Sequence, residues 1–83
     1  MAERRSTYLI EKEQDYNDAR DHLYREVYSD WNDSNSIYFY GYWGDCSRFG
    51  WDTCYRIDIY SECSDATRVA DIIREHRGRY YDM

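Results

Sequence analysis

Large side chains alternate along the segment SIYFYGYW, residues 36–43, and this is the clearest pattern in the chain. Successive side chains of a β-strand point to opposite faces of a sheet, so the alternation predicts a strand with two different faces. One face would carry Tyr38, Tyr40 and Tyr42, and the other Ile37, Phe39 and Trp43. The apolar set is expected to face the core. Rings with polar tips on a rigid strand suit a partner better than water, so the tyrosines predict a contact surface.

A second alternating segment, from about Thr53 to Ser61, is expected to pair with the first as a β-hairpin. Its apolar side is formed by Tyr55, Ile57 and Ile59, and its other side by Cys54, Arg56, Asp58 and Tyr60. The apolar faces of two paired strands match. The tyrosine face is therefore expected to lie beside Arg56, Asp58 and Tyr60, which makes Arg56 and Tyr60 candidate contact residues.

Apolar residues at helical spacing predict two helices. The first would run from about Glu13 to Asp30, with an apolar stripe formed by Tyr16, Ala19, Leu23 and Val27 and widened by Tyr24 and Trp31. The second would carry Val69, Ile72 and Ile73 and end near His76. A turn is expected at residues 32–35. Ser64 is the predicted N-cap of the second helix, and Gly78 its predicted C′ residue.

Two further strands complete the predicted order. Ser6–Ile10 is rich in β-branched and aromatic residues, and Arg79–Asp82 is long enough for a short last strand. The order is then β-α-β-β-α, or β-α-β-β-α-β if the tail pairs. The architecture expected for it is α+β: a ferredoxin-like sandwich with both helices on one face of an antiparallel sheet. We expect the 83 residues to form one compact domain with its other sheet face open.

The net charge of −6 is unevenly placed along the chain. Between Glu11 and Asp33 there are eight acids and three cations, whereas residues 74–79 hold three arginines and one acid. Negative charge over most of the surface disfavours nucleic acid and favours a basic partner. The same acidity would arise without a partner in a salt-adapted organism. No leader and no run of about 20 apolar residues is recognisable, so we expect no membrane association and a cytoplasmic location.

The first predicted helix places Asp15, Asp18 and Asp21 three residues apart. These carboxylates would rise about 4.5 Å per step. Phosphates follow one DNA strand at intervals of about 3.4 Å, so the row would mimic them in a basic groove. The plainer interpretation is a solvated, salt-bridged helix face with i,i+4 pairs at Asp18/His22 and Asp21/Arg25.

The hairpin loop between Gly44 and Asp52 contains Arg48, Phe49 and Trp51. An arginine and a tryptophan on an exposed hairpin tip are typical contact anchors, so Arg48 and Trp51 are candidate partner-binding residues. An equally good interpretation is that Phe49 and Trp51 fold back as a lid on a small core.

The three cysteines, Cys46, Cys54 and Cys63, lack the CxxC spacing of structural zinc sites. An odd count without a recognisable leader indicates reduced thiols, although Cys46 and Cys54 flank the hairpin loop and would come close. A zinc site completed by His22 or His76 is a minor alternative. No combination of nucleophile, base and oxyanion donor indicates an enzyme. We expect no catalysis, no cofactor and no metal.

In size, acidity and tyrosine content the whole chain resembles the small phage and mobile-element proteins that block host defence, including anti-CRISPR proteins. The resemblance implies a non-enzymatic inhibitor that occludes the basic nucleic-acid groove of a host complex in the host cytoplasm. One alternative is a small RNA- or single-stranded-DNA-binding or regulatory domain that uses the tyrosine and arginine sheet face. Another is a homodimer that buries the tyrosines against its own copy.

Overall fold

The computed structural model describes residues 5–26, 37–44, 46–60 and 66–81. Its four strands and two helices follow the predicted order. They are β1 (Arg5–Ile10), α1 (Glu13–Glu26), β2 (Ile37–Trp43), β3 (Cys54–Tyr60), α2 (Ala66–Glu75) and β4 (Arg79–Tyr81). A short 3-10 helix, Ser47–Phe49, interrupts the loop between β2 and β3. Residues 27–30 of the predicted first helix, the turn at 32–35 and the Ser64 cap lie outside the described residues.

The four strands form one antiparallel sheet in the spatial order β2-β3-β1-β4. β3 and β1 are the central strands, and β2 and β4 are the two edges. This is the predicted ferredoxin-like α+β layout, with β4 present as the last strand. In the part of the chain that the structure describes, neither helix is long and apolar enough to cross a membrane.

The main core lies between the helices and one face of the sheet. Tyr16, Ala19 and Leu23 of α1 are buried, as the helical spacing predicts. α2 contributes Val69, Ala70, Ile72 and Ile73, and the sheet contributes Tyr8, Ile10, Ile37, Ile57 and Ile59. The apolar side of β3 therefore faces the helices, as its alternation predicts. Removing these apolar side chains from water stabilises the fold.

The end of α2 differs from the prediction by one residue. The Gly78 amide donates to the Ile73 carbonyl at 2.8 Å, and the Arg77 amide donates to the Arg74 carbonyl at 3.0 Å. This pair of bonds is a Schellman motif in which Arg77, with φ of 69°, is the left-handed C′ residue. Gly78 follows it, where a Cβ would lie 2.8 Å from the Ile73 carbonyl oxygen. Close packing, rather than a left-handed backbone, therefore requires glycine at position 78.

Candidate protein-binding surface

A β-bulge in β2 changes the predicted facing of its side chains. Phe39 pairs with Ile57, but Gly41 pairs with Arg56, so Tyr40 is an extra residue between them. Gly41 has φ of 79°, in the left-handed region that favours glycine. A shift of one residue moves every later side chain to the opposite face of the sheet.

Tyr42 consequently lies on the helix-facing side of the sheet, and its prediction on one face with Tyr38 and Tyr40 was wrong. It pairs with Tyr55, and their ring centroids are 6.0 Å apart. Tyr55 in turn stacks on Tyr16 of α1 at 5.3 Å. Burial raises the pKa of Tyr16, although nearby Arg20 opposes that effect. Trp43, predicted on the apolar, helix-facing side, instead lies on the sheet face away from the helices, where it pairs with Cys54.

The exposed tyrosines gather at the β2 edge of the sheet. Tyr38 is 51% exposed and Tyr42 is 64% exposed, with Tyr40 between them on the bulge. Tyr24 of α1 is also exposed, and its ring centroid lies 5.5 Å from that of Phe39. We call these four residues, Tyr24, Tyr38, Tyr40 and Tyr42, the β2-edge surface. Among the described residues, the one other large exposed hydrophobic side chain is Tyr80, on the opposite edge strand.

Arg56 lies beside this surface but is buried, with only 4% of its surface exposed. Its guanidinium is held between two rings, with its central carbon 4.3 Å from the Tyr40 centroid and 4.4 Å from the Trp43 centroid. It also donates two hydrogen bonds of 2.9 Å to fully buried Asp58. The sequence predicts that Arg56 meets a partner. In the structure, rings and a carboxylate already surround its guanidinium, so it is not available for that contact.

Two residues of β1 complete the polar network around Asp58. The Thr7 hydroxyl donates to Asp58 Oδ1 at 2.9 Å, and Arg5 Nη1 lies 3.5 Å from Asp58 Oδ2. Arg5 also donates a long hydrogen bond of 3.4 Å to the Tyr40 hydroxyl. A hydrogen bond from Arg5 to half-buried Tyr60 is the main cause that raises the pKa of Arg5, with Tyr40 and Asp58 contributing. The network therefore contacts Tyr40 twice, through the Arg5 hydrogen bond and through the Arg56 guanidinium over its ring.

The hairpin loop folds over the other half of the sheet face. Leu9, Cys46 and Cys54 form a second buried cluster, against which Trp43, Phe49, Trp51 and Tyr81 pack. The ring centroids of Phe49 and Trp51 are 4.8 Å apart, and the Arg48 guanidinium carbon lies 4.8 Å from the Tyr81 centroid. The geometry is that of a lid over this part of the sheet face. This placement does not itself test whether Arg48 or Trp51 meets a partner.

Cys46 and Cys54 form a disulfide that closes the base of this loop. The expectation of reduced thiols was wrong for this pair. The hairpin brings the two cysteines together because Cys54 pairs with Trp43 and Cys46 follows that strand closely. Cys63 lies outside the described residues.

The three aspartates of the α1 row, Asp15, Asp18 and Asp21, differ in their exposure and contacts. Asp21 is exposed, and half-buried Asp18 accepts a hydrogen bond of 2.9 Å from Gln14 Nε2. Asp15 instead lines a cleft that also contains Lys12 and Arg77. Asp18 and Asp21 are therefore the members of the row that lie outside this cleft. The expected ion pairs at Asp18/His22 and Asp21/Arg25 do not form among the described residues.

His22 contacts His76, the residue that follows α2, instead. Its Nδ1 lies 3.0 Å from His76 Nε2, and its Nε2 lies 3.7 Å from Glu26 Oε1. Glu26 also forms an ion pair with Arg68 of α2. These contacts join the two helices across the surface. No group of three or more His, Cys, Asp or Glu side chains in the described ranges could hold a metal ion.

The sequence contains one signal for the bulge, which is Gly41 inside a strand pattern. It contains no comparable signal for the roles of Arg5 and Thr7, because these depend on strand pairing. Comparison with known proteins adds no further role: no family model, no curated protein and no solved structure matches this chain.

Proposed function

We propose that this chain is a non-enzymatic inhibitor, similar in design to anti-CRISPR proteins, that binds a host complex and occludes its basic nucleic-acid-binding surface. The observation that carries the proposal is the β2-edge surface. Tyrosines are enriched at protein interfaces because their rings bury much area while their hydroxyls retain hydrogen bonds. Four exposed tyrosines at one edge of a small acidic domain support protein contact over simple solvation.

The bulge in β2 favours this use of the edge. Tyr38 and Tyr40 lie on the face away from the helices, and Tyr42 lies on the face toward them. A partner that wraps the edge would meet rings from both sides.

Negative charge adjoins the same surface. Asp21 and Tyr24 are three residues apart on α1 and are therefore neighbours on the helix. Asp18 and Asp21, within a chain of net charge −6, would attract an Arg/Lys-rich groove and increase its rate of association. The contact surface proposed here is thus Asp18, Asp21 and the four tyrosines. Arg56, which is buried, and Asp15, which lines a cleft elsewhere, are not included in it.

RNA or single-stranded DNA binding through the sheet face has weaker support. Arg56, the cation that would meet phosphates beside the tyrosines, is buried and bonded to Asp58. Action in the host cytoplasm also belongs to the proposal. In a reducing cytoplasm the Cys46–Cys54 pair would exist largely as thiols.

The test compares variants of the tagged protein in capture from a lysate of the native host. Tyr38→Ala/Tyr42→Ala removes one ring from each face of the edge, and Asp18→Asn/Asp21→Asn removes the charges without changing shape. Tyr80→Ala, at the opposite edge, is the matched control. The captured complex is then assayed for binding to its own nucleic acid.

The proposal requires that wild-type protein reduces nucleic-acid binding by the captured complex and that both double variants lose this effect while Tyr80→Ala keeps it. Capture should weaken as salt rises, because exposed charges are screened. Capture without any effect on nucleic-acid binding would overturn inhibition. Direct binding of RNA by the isolated protein would favour the alternative, and light scattering at dimer mass that Tyr38→Ala/Tyr42→Ala abolishes would favour self-association.

A further inference from the structure

A cleft lies apart from the β2-edge surface, between the start of α1, the turn that joins α2 to β4, and the hairpin loop. Its volume is about 350 Å³. This lies within the range of about 300–1,000 Å³ that is usual for sites of small ligands. The loop contributes Trp51 to its wall.

The cleft concentrates positive charge in an acidic protein. Four cations line it: Lys12, Arg74, Arg77 and Arg79. Two acids, Glu11 and Asp15, also line it, which leaves an excess of two positive charges. The chain as a whole carries −6. Such a local reversal attracts an anion of more than one charge.

Two of these four cations lack an ion-pair or ring partner within the described residues, and the other two have partners. Lys12 and Arg77 form no ion pair with any residue in the described ranges. Arg74 lies 3.3 Å from Asp71, outside the cleft, and donates a long hydrogen bond of 3.5 Å to the Tyr8 hydroxyl, while Arg79 lies over the Phe49 ring at 5.4 Å. Arginine forks match phosphate oxygens with paired hydrogen bonds, so the Arg77 guanidinium, together with Lys12, favours a phosphate ligand in this cleft.

Arg77 occupies its position at a conformational cost. Its φ of 69° places it in the left-handed region, where a side chain costs about 1–2 kcal/mol relative to glycine. Helices commonly use glycine at this C′ position. A side chain in the left-handed region supports a use for this guanidinium, since strained residues cluster at ligand sites.

Trp51 supplies a planar wall beside the cations. One side of it packs near Phe49, at a centroid distance of 4.8 Å, and the residue remains half-buried while lining the cleft. Stacking of a nucleobase on such a ring is worth about 1–3 kcal/mol in other proteins. We propose that this cleft binds a nucleoside di- or triphosphate, with its phosphates at Lys12, Arg77 and Arg79 and its base against Trp51. This site does not depend on the inhibitor function proposed above.

The experiment is calorimetric titration of the whole chain with ADP, pyrophosphate and adenosine, with a chelator present and at about 50 mM salt, where screening is weak. Arg77→Gly removes one cation and relieves the left-handed strain, so weaker binding by this variant cannot result from unfolding. Arg25→Gln is the matched control. It removes one exposed cation about 15 Å further along α1 than Asp15.

ADP should bind wild-type protein more tightly than pyrophosphate, and adenosine should bind most weakly. Arg77→Gly should weaken ADP binding by about tenfold or more, as loss of one charge-assisted hydrogen bond predicts. Arg25→Gln should change it less than twofold. The proposal fails if ADP gives no saturable heat, or if Arg25→Gln weakens binding as much as Arg77→Gly. Equal affinity for ADP and pyrophosphate would overturn the assignment of a nucleoside.

Discussion

Arg56 and Asp58, two residues apart on β3, form an ion pair with two hydrogen bonds on the sheet face away from the helices. Arg56 Nε lies 2.9 Å from Asp58 Oδ1, and Nη2 lies 2.9 Å from Oδ2. Residues i and i+2 of a strand share a face, so the pair needs no bend in the backbone. Tyr40 and Trp43 cover the guanidinium, and Thr7 donates to the carboxylate. The pair therefore supports the bulged part of β2 from beneath.

Breaking this pair should be costly. Asp58→Ala leaves the Arg56 charge buried with Thr7 unpaired, and we expect the free energy of unfolding in urea to fall by about 3–5 kcal/mol. Arg56→Met/Asp58→Leu, which removes both charges, should cost less than Asp58→Ala alone. A loss below about 1 kcal/mol for Asp58→Ala would show that the pair is solvated rather than buried.

The end of α2 predicts opposite effects for two neighbouring substitutions. Arg77→Gly should raise the free energy of unfolding by about 1 kcal/mol, because glycine adopts the left-handed conformation without strain. Gly78→Ala should lower it by about 1–3 kcal/mol. Its Cβ would lie 2.2 Å from Ile73 Cγ2 and 2.8 Å from the Ile73 carbonyl oxygen. Denaturant unfolding of both variants checks the sign. A stabilised Gly78→Ala protein would contradict the described turn.

Trp51→Ala tests the lid formed by the hairpin loop. Trp51 and Phe49 pack against the second cluster, so we expect a loss of about 2–3 kcal/mol, somewhat less than for a fully buried tryptophan. Arg48→Ala, in the same loop, should cost less than about 1 kcal/mol, since it loses a cation–π contact near the surface. Thermal melts compare the two. Unchanged stability of Trp51→Ala together with lost partner binding would instead identify Trp51 as an anchor.

The disulfide predicts sensitivity to reduction. In the chain-entropy description, opening a loop as short as that between Cys46 and Cys54 costs about 2–3 kcal/mol. Dithiothreitol should therefore lower the melting temperature of wild-type protein and of Cys63→Ser. It should have no effect on Cys46→Ser/Cys54→Ser. Labelling of unreduced protein with a thiol reagent gives an independent count, and reaction at Cys46 or Cys54 would show that the bond is absent.

The helices and the central strand were predictable because their patterns are local and repeat. Tyr16, Ala19 and Leu23 recur at the helical period and are all buried. Ile57 and Ile59 of β3 lie on the helix-facing side that their alternation indicates. Each of these residues is placed by its own neighbours in sequence, and packing of the apolar faces then allows few arrangements other than a two-layer sandwich.

The arrangement of the candidate site could not be predicted from periodic patterns, because it results from individual features of strand register and burial. The bulge at Tyr40 adds one residue to β2. This alone places Tyr42 and Trp43 each on the face of the sheet opposite to the one predicted for it. The alternation of β3 likewise does not predict whether Arg56 meets solvent. Its burial results from rings of β2 and the threonine of β1, which cover its pair with Asp58. Repeating patterns thus specify elements and their buried sides. Register, burial of charge and the clefts between elements arise only when distant segments pack together, since these contacts join residues far apart in the chain.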